Sequence, residues 1–203
     1  MSSQKLTKEL ADQLMKIKGE ARGTHFVCDA LYIKKRKGKK GLEKVEKKLK
    51  ELGYPFDYSK VNNMDFYPVG LRALSLLAMK EVFGWTDKDI EENCANAAKY
   101  SFIIKVFARY FFSIRSSAKF VPKIWREYFT SGNLEVVKVD LEKKEAVFQI
   151  KNFKLHPVFC QHCFVGFMKE IVRMVINVKD IKCKKTSCVF KNSNICSLTI
   201  IWQ

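Results

Sequence analysis

The chain lacks any apolar run approaching the ~18 residues that a membrane-spanning helix needs, and its first residues, Met1 to Leu14, alternate charged and apolar positions without a signal-peptide centre. A cytoplasmic protein is therefore expected. Also missing are a glycine-rich phosphate loop, a serine-nucleophile elbow and paired carboxylates, which removes the motif-bearing enzyme classes. Histidine is scarce: His25, His156 and His162 are the whole supply, and the middle third has none. No helix-turn-helix, zinc-finger or RNA-recognition signature occurs. Nothing in the chain marks it as an enzyme.

Lysine and cysteine are plentiful. The formal net charge is +17, much of it in Lys34 to Lys40 and the stretch through Lys50, with a second group at Lys179, Lys182, Lys184, Lys185 and Lys191. Such a charge suggests an acidic partner, nucleic acid or an anionic surface. Lysine outnumbers arginine, however, and arginine is the better residue for bidentate phosphate or base contacts. A solvated basic surface is the simpler reading, with a partner- or nucleic-acid-binding role as an alternative. A reductase-like enzyme is a third, with no cofactor fingerprint behind it.

Hydrophobic residues make up 47% of the 203 residues, and sixteen are Phe. One domain spanning 1–203 is expected, mainly helical over 1–130 and sheet-containing over 131–203. Apolar positions 6, 10, 14 and 17 predict a first helix, and Leu42, Val45, Leu49 and Leu52 another, stopped by Gly53. The segment from His25 to Lys34 reads as strand or short helix. A helix opens at Tyr67-Pro68 and closes at Gly84, and Thr86 with Asp89 predicts the cap of the next. From Tyr100 to Ile114 nearly every position is apolar, which predicts a helix buried on all sides or lining a cavity. After Gly132 the hydrophobic period changes to two. Residues 134–150 and 178–202 each predict a hairpin, with a helix over 158–176 between them. The fold class is α+β, with a helical N-terminal half packed on an antiparallel sheet carrying one inserted helix.

Five of the seven cysteines fall in the last 44 residues. A helix over 159–174 and a strand returning antiparallel beside it would bring Cys160 and Cys163 back towards Cys183 and Cys188, since both span ~23 Å. Cys-x-x-Cys at a helix start favours thiolates, and four thiolates would close a structural zinc site. His162 and Cys196 are alternate ligands. Buried thiols packed as small hydrophobes, or a redox-responsive pair, are the competing readings. Cys28 and Cys94 read as core residues.

The C-terminal quarter carries a further pattern: Gly166 in a helix, a strand, then Cys188-Val189-Phe190-Lys191-Asn192-Ser193-Asn194-Ile195-Cys196 and a final strand to Trp202. It resembles the 4-vinyl reductase, or hydrocarbon-binding, domain, of the superfamily shared by haem–nitric-oxide-binding sensors and Golgi transport-particle subunits. Gly23, Gly41, Gly53 and Tyr67-Pro68 are similar to the helical part of those sensors. The resemblance implies an apolar or amphipathic ligand enclosed between helices and sheet, in a binding or sensing role. The expected wall is Phe107, Tyr110, Phe111 and Trp125, with Arg109 or Arg115 meeting an anionic end of the ligand; a homodimer is an alternative use of the same apolar helix. Haem in the sensors' manner requires a mid-chain histidine and Tyr-x-Ser-x-Arg. This chain has neither, for Phe111-Phe112-Ser113-Ile114-Arg115 lacks the tyrosine and precedes the sheet, so the sequence argues against haem.

Overall fold

A computed structural model describes residues 5–101 and 118–203. The N-terminal half is helical. Helix α1 (Lys8–Met15) starts where the Thr7 side chain accepts a hydrogen bond from the Leu10 amide, and it buries Ala11 and Leu14. Strand β1 (Glu20–Arg22) leads into α2 (Thr24–Glu51), which runs through both segments that the sequence separates at Gly38. Gly38 is the irregular point, with φ at 69°, a conformation glycine tolerates without strain. The helix thus kinks without ending. A short strand, β2 (Phe66–Pro68), pairs antiparallel with β1 and feeds α3 (Val69–Phe83), closed by left-handed Gly84. Thr86 and Asp89 form a reciprocal capping box at the head of α4 (Asp87–Tyr100).

Helix α5 (Val121–Tyr128) precedes the change of period, and the chain then builds one antiparallel sheet. Its strands are β3 (Asn133–Asp140), β4 (Glu145–Lys151), β5 (Ile181–Ser187) and β6 (Ile195–Trp202), ordered β3-β4-β6-β5. Between the two hairpins lies a π-helical turn, Phe159–Cys163, continuing directly into α6 (Phe164–Ile176). This is the α+β architecture that the switch of period implies. On β4, Ala146, Phe148 and Ile150 are buried and alternate with half-buried neighbours, so the strand turns one edge of its pleat to the core.

The buried side chains of the helices and of the sheet belong to one contiguous cluster. One of its close seams joins α4 and α6. A Cβ at Gly166 would lie 2.1 Å from the Glu91 carbonyl oxygen, so only glycine lets these two backbones meet. That contact fixes Cys94 on α4 beside the start of α6, where the site is built.

Candidate ligand site and its buried thiols

Two charged residues sit in otherwise apolar helical stretches, Asp29 on α2 and Arg72 on α3, and both are completely buried. Arg72 Nη1 donates to Asp29 Oδ2, and Asn93 Nδ2 donates to Asp29 Oδ1 at 2.7 Å. The other end of the guanidinium reaches sulfur: Nη2 lies 3.5 Å from Cys94 Sγ and 3.7 Å from Cys163 Sγ. The two sulfurs are themselves 2.6 Å apart. Burial works against the charge on Arg72, but Asp29 and the two sulfurs outweigh it and raise its pKa. Burial also raises the Cys94 thiol well above its ordinary value, and its hydrogen bond to Cys163 adds to this. For Cys163 burial acts upward too. The Cys94 hydrogen bond and the Arg72 charge prevail, leaving this thiol below its ordinary value. The acidic member of the pair is Cys163.

His25, on the first turn of α2, is buried beside this cluster. Its ring packs on Phe129 at 4.9 Å and Tyr128 at 5.3 Å between centroids. Burial, helped by the Arg72 charge, pushes its pKa well below the usual imidazole value, so the ring stays neutral. Among the described residues His25 Nε2 has no hydrogen-bond partner, nor have Arg72 Nε and Asn93 Oδ1. Buried polar atoms are normally satisfied. Three orphans in one neighbourhood distinguish this interior from an ordinary core.

Two cavities flank the same aromatic partition. The larger holds about 610 Å³ of space free of atoms, mouth included, between α5, α6 and strands β3 and β4. Its wall is apolar or aromatic throughout, from Val121, Ile124 and Leu134 to Phe148, Met168 and Val172. Among the described wall residues the one bearing a hydroxyl is Tyr128, whose oxygen is engaged with Ser101. The smaller cavity, about 270 Å³ on the same measure, is lined by His25, Arg72, Cys94, Cys163 and their aromatic neighbours. Trp125, Phe129 and Phe167 line both. Of the expected wall, Trp125 is therefore found at both cavities, while Phe107, Arg109, Tyr110, Phe111 and Arg115 lie outside the described residues.

The C-terminal cysteines divide into separate groups. Strand β5 does return beside the π-turn, where Lys185 Nζ donates to the Cys160 carbonyl at 2.9 Å. Cys160 there hydrogen-bonds to Cys196, whose sulfur lies 3.9 Å from that of Cys188. The Cys160 hydrogen bond, with help from the Val189 amide and Lys185, lowers Cys196 to about 6 despite burial. Cys163 instead faces Cys94. A π-helix takes more residues per turn than an α-helix, so residues three apart are rotated further from a common face. Cys183 stands opposite Ile200 on β6, four residues and roughly 13 Å of strand from Cys196. His162 points to Asp87 (3.3 Å) and Glu91 (3.7 Å).

Two expectations are corrected. Among the described residues no group of three or more His, Cys, Asp or Glu side chains is disposed to hold a metal ion, so the zinc site expected from Cys160, Cys163, Cys183 and Cys188, with His162 and Cys196 as alternates, is not formed. The sequence argument against haem is corrected by the comparisons with known proteins. No family model matches the chain, and no curated protein matches it in sequence. Solved structures do match its fold. An H-NOX protein from S. oneidensis in the Fe(II)NO ligation state aligns with a TM-score of 0.66 at 12% identity, covering 90% of this chain and 99% of that one. A doubly substituted Tt H-NOX aligns at 0.61 and 14% identity, over 90% and 95% of the two chains. A third, from work on haem distortion in the H-NOX family, aligns at 0.58 and 13% identity, over 90% and 95%. The chain has the H-NOX fold, and solved proteins of that fold include ones whose haem is the subject of study. No helix of the described residues is long and apolar enough to cross a membrane.

Proposed function

We propose that the chain is a small-molecule sensor or carrier that encloses an apolar or amphipathic ligand between α5, α6 and the sheet. The carrying observation is the concavity between α5, α6 and the sheet, whose described wall is apolar and aromatic. Ligand sites are usually concave and lined mostly by apolar and aromatic side chains. The likeness to ligand-binding sensors supports the same reading at the level of the fold. The C-terminal pattern ending at Trp202 favours the hydrocarbon-binding branch of the superfamily. Native mass spectrometry and solvent extraction of the purified chain test the proposal. A bound apolar species is expected, reduced by Val172→Phe, which fills the wall. The absence of both a co-purified species and uptake of an apolar fluorescent probe would overturn it.

A second reading, favoured by the orphaned His25 Nε2, is haem. A neutral, buried imidazole nitrogen with no hydrogen-bond partner among the described residues is the donor that would hold the haem iron, with Trp125, Phe129 and Phe167 as its aromatic neighbours. Haem, when bound, supplies an iron that can take a diatomic gas. The chain's own part is to keep His25 unprotonated and to exclude water with aromatic rings. Titration of the purified chain with ferric haem, followed by its absorption bands, tests this. His25→Ala is expected to alter the spectrum, and an identical titration in both proteins would remove His25 as the ligand.

A further inference from the structure

We propose that Cys94 and Cys163 are a redox-active pair, oxidised to a disulfide by hydroperoxides, with Arg72 positioning the reacting sulfur. The two sulfurs are in direct contact, the juxtaposition that disulfide formation requires. Both sulfurs line the smaller cavity and so share it with His25. Arg72 Nη2 contacts both, and its Nε is one of the orphaned buried atoms. A guanidinium that is fully buried and already paired with Asp29 gains its second set of contacts from sulfur. Those contacts are strongest when one sulfur is a thiolate.

The chemistry needs no group beyond the peroxide. The Cys163 thiolate attacks one oxygen of the O–O bond; a sulfur–oxygen bond forms, the O–O bond breaks, and the departing oxygen leaves as water or alcohol after taking up a proton. The sulfur is oxidised to a sulfenic acid. The Cys94 sulfur then attacks that sulfur, forming the S–S bond while the S–O bond breaks, and the hydroxide leaves as water with the Cys94 proton. Two thiols have lost two electrons, and one peroxide has been reduced. The bridge ties α4 covalently to the π-turn at the head of α6, and it leaves Arg72 with Asp29 as its anionic partner and no thiolate.

The other thiol group provides the internal control. Cys196 lies against Cys160 and 3.9 Å from Cys188 near the sheet's end, and among the described residues the cation acting on it is Lys185, an ammonium rather than a guanidinium. Both Cys94 and Cys163 belong to the wall shared with His25, so oxidation there, unlike oxidation at the sheet, changes the smaller cavity directly.

The full, reduced chain is exposed to hydrogen peroxide, its remaining thiols are alkylated after denaturation, and the digest is mapped without reduction. The expected result is loss of two of the seven thiols and a cross-linked species joining the Cys94 and Cys163 peptides, reversed by dithiothreitol. Cys196→Ser should leave that cross-link unchanged. Cys94→Ser should instead accumulate a sulfenic acid at Cys163, captured by a cyclic-diketone label, with none at Cys94 in Cys163→Ser. A first cross-link among Cys160, Cys188 and Cys196, or full retention of the Cys94 and Cys163 thiols under peroxide, would overturn the proposal. The wild-type map decides the matter even if either serine variant fails to fold.

Discussion

The two sides of the Trp125–Phe129–Phe167 partition solve opposite problems with the same helices. On one side, Asp29, Arg72, Asn93 and the two sulfurs put full charges and polar atoms into a dry interior and satisfy most of them mutually. On the other, the wall of the large cavity offers apolar surface and space. Charge without its partner is costly, because desolvation leaves nothing to offset it. Apolar space is costly only through the packing it forgoes. The polar side should therefore be intolerant of single substitutions and the apolar side forgiving of them.

Arg72→Met is expected to have the largest effect, a loss of about 3–5 kcal/mol in chemical denaturation, because it leaves Asp29 buried without a countercharge. Pairing it with Asp29→Leu should recover most of that loss. If the single substitution costs no more than a surface one, the polar side is not the rigid member of the comparison.

Gly166→Ala ranks next. The added methyl would strike the Glu91 carbonyl, and separating α4 from α6 should cost about 1–3 kcal/mol, as overpacking usually does. Since that seam holds Cys94 against Cys163, the substitution should also slow peroxide-driven cross-linking. A thermal melt with parallel thiol mapping measures both.

Acid should act selectively on the histidines. His156, lowered to about 4 by burial and by Lys80, and His25, held well below its ordinary value by burial and by Arg72, bind fewer protons folded than unfolded. A group with a depressed folded pKa gives stability that is fully present above its unfolded value, near 6.5, and is lost as pH falls towards the folded value. The midpoint of urea unfolding should therefore drop between about pH 6.5 and 4. In a variant with both rings replaced by phenylalanine it should drop much less. An equal slope in both proteins would assign the acid sensitivity to carboxylates.

Val172→Phe is the smallest expected change. Facing open apolar space, the larger ring should alter the stability of the ligand-free chain by less than about 1.5 kcal/mol. A large loss would mean that the wall is as tightly determined as the polar side.

Much of the architecture was legible before any coordinates. The capping box at Thr86, the stop at Gly84 and the change of period after Gly132 each rest on neighbours in the chain, and each is found where it was expected. The segment from His25 to Lys34 was ambiguous because its apolar residues fit either period over so short a stretch. The stretches on either side of Gly38 belong to one helix, which packs along its length against α3 and α4 while residues 34–40 stay exposed. The site was less legible. Single charges inside the apolar runs around Asp29 and Arg72 were the available signal, since an unpaired charge there would not be tolerated, but neither names its partner. Cys94 looked like an ordinary core thiol for the same reason.

Local physics, encoded in the sequence, determined the helices, the two hairpins and the α+β class, because propensity, capping and hydrophobic period act within a few residues. Tertiary structure alone decided which sulfurs meet. The Cys-x-x-Cys spacing suggested one shared face, whereas the π-turn sends Cys160 to Cys196 and Cys163 to Cys94, 69 residues distant in the chain. One extra residue in a helical turn is invisible in a spacing rule, and it redirects every side chain that follows.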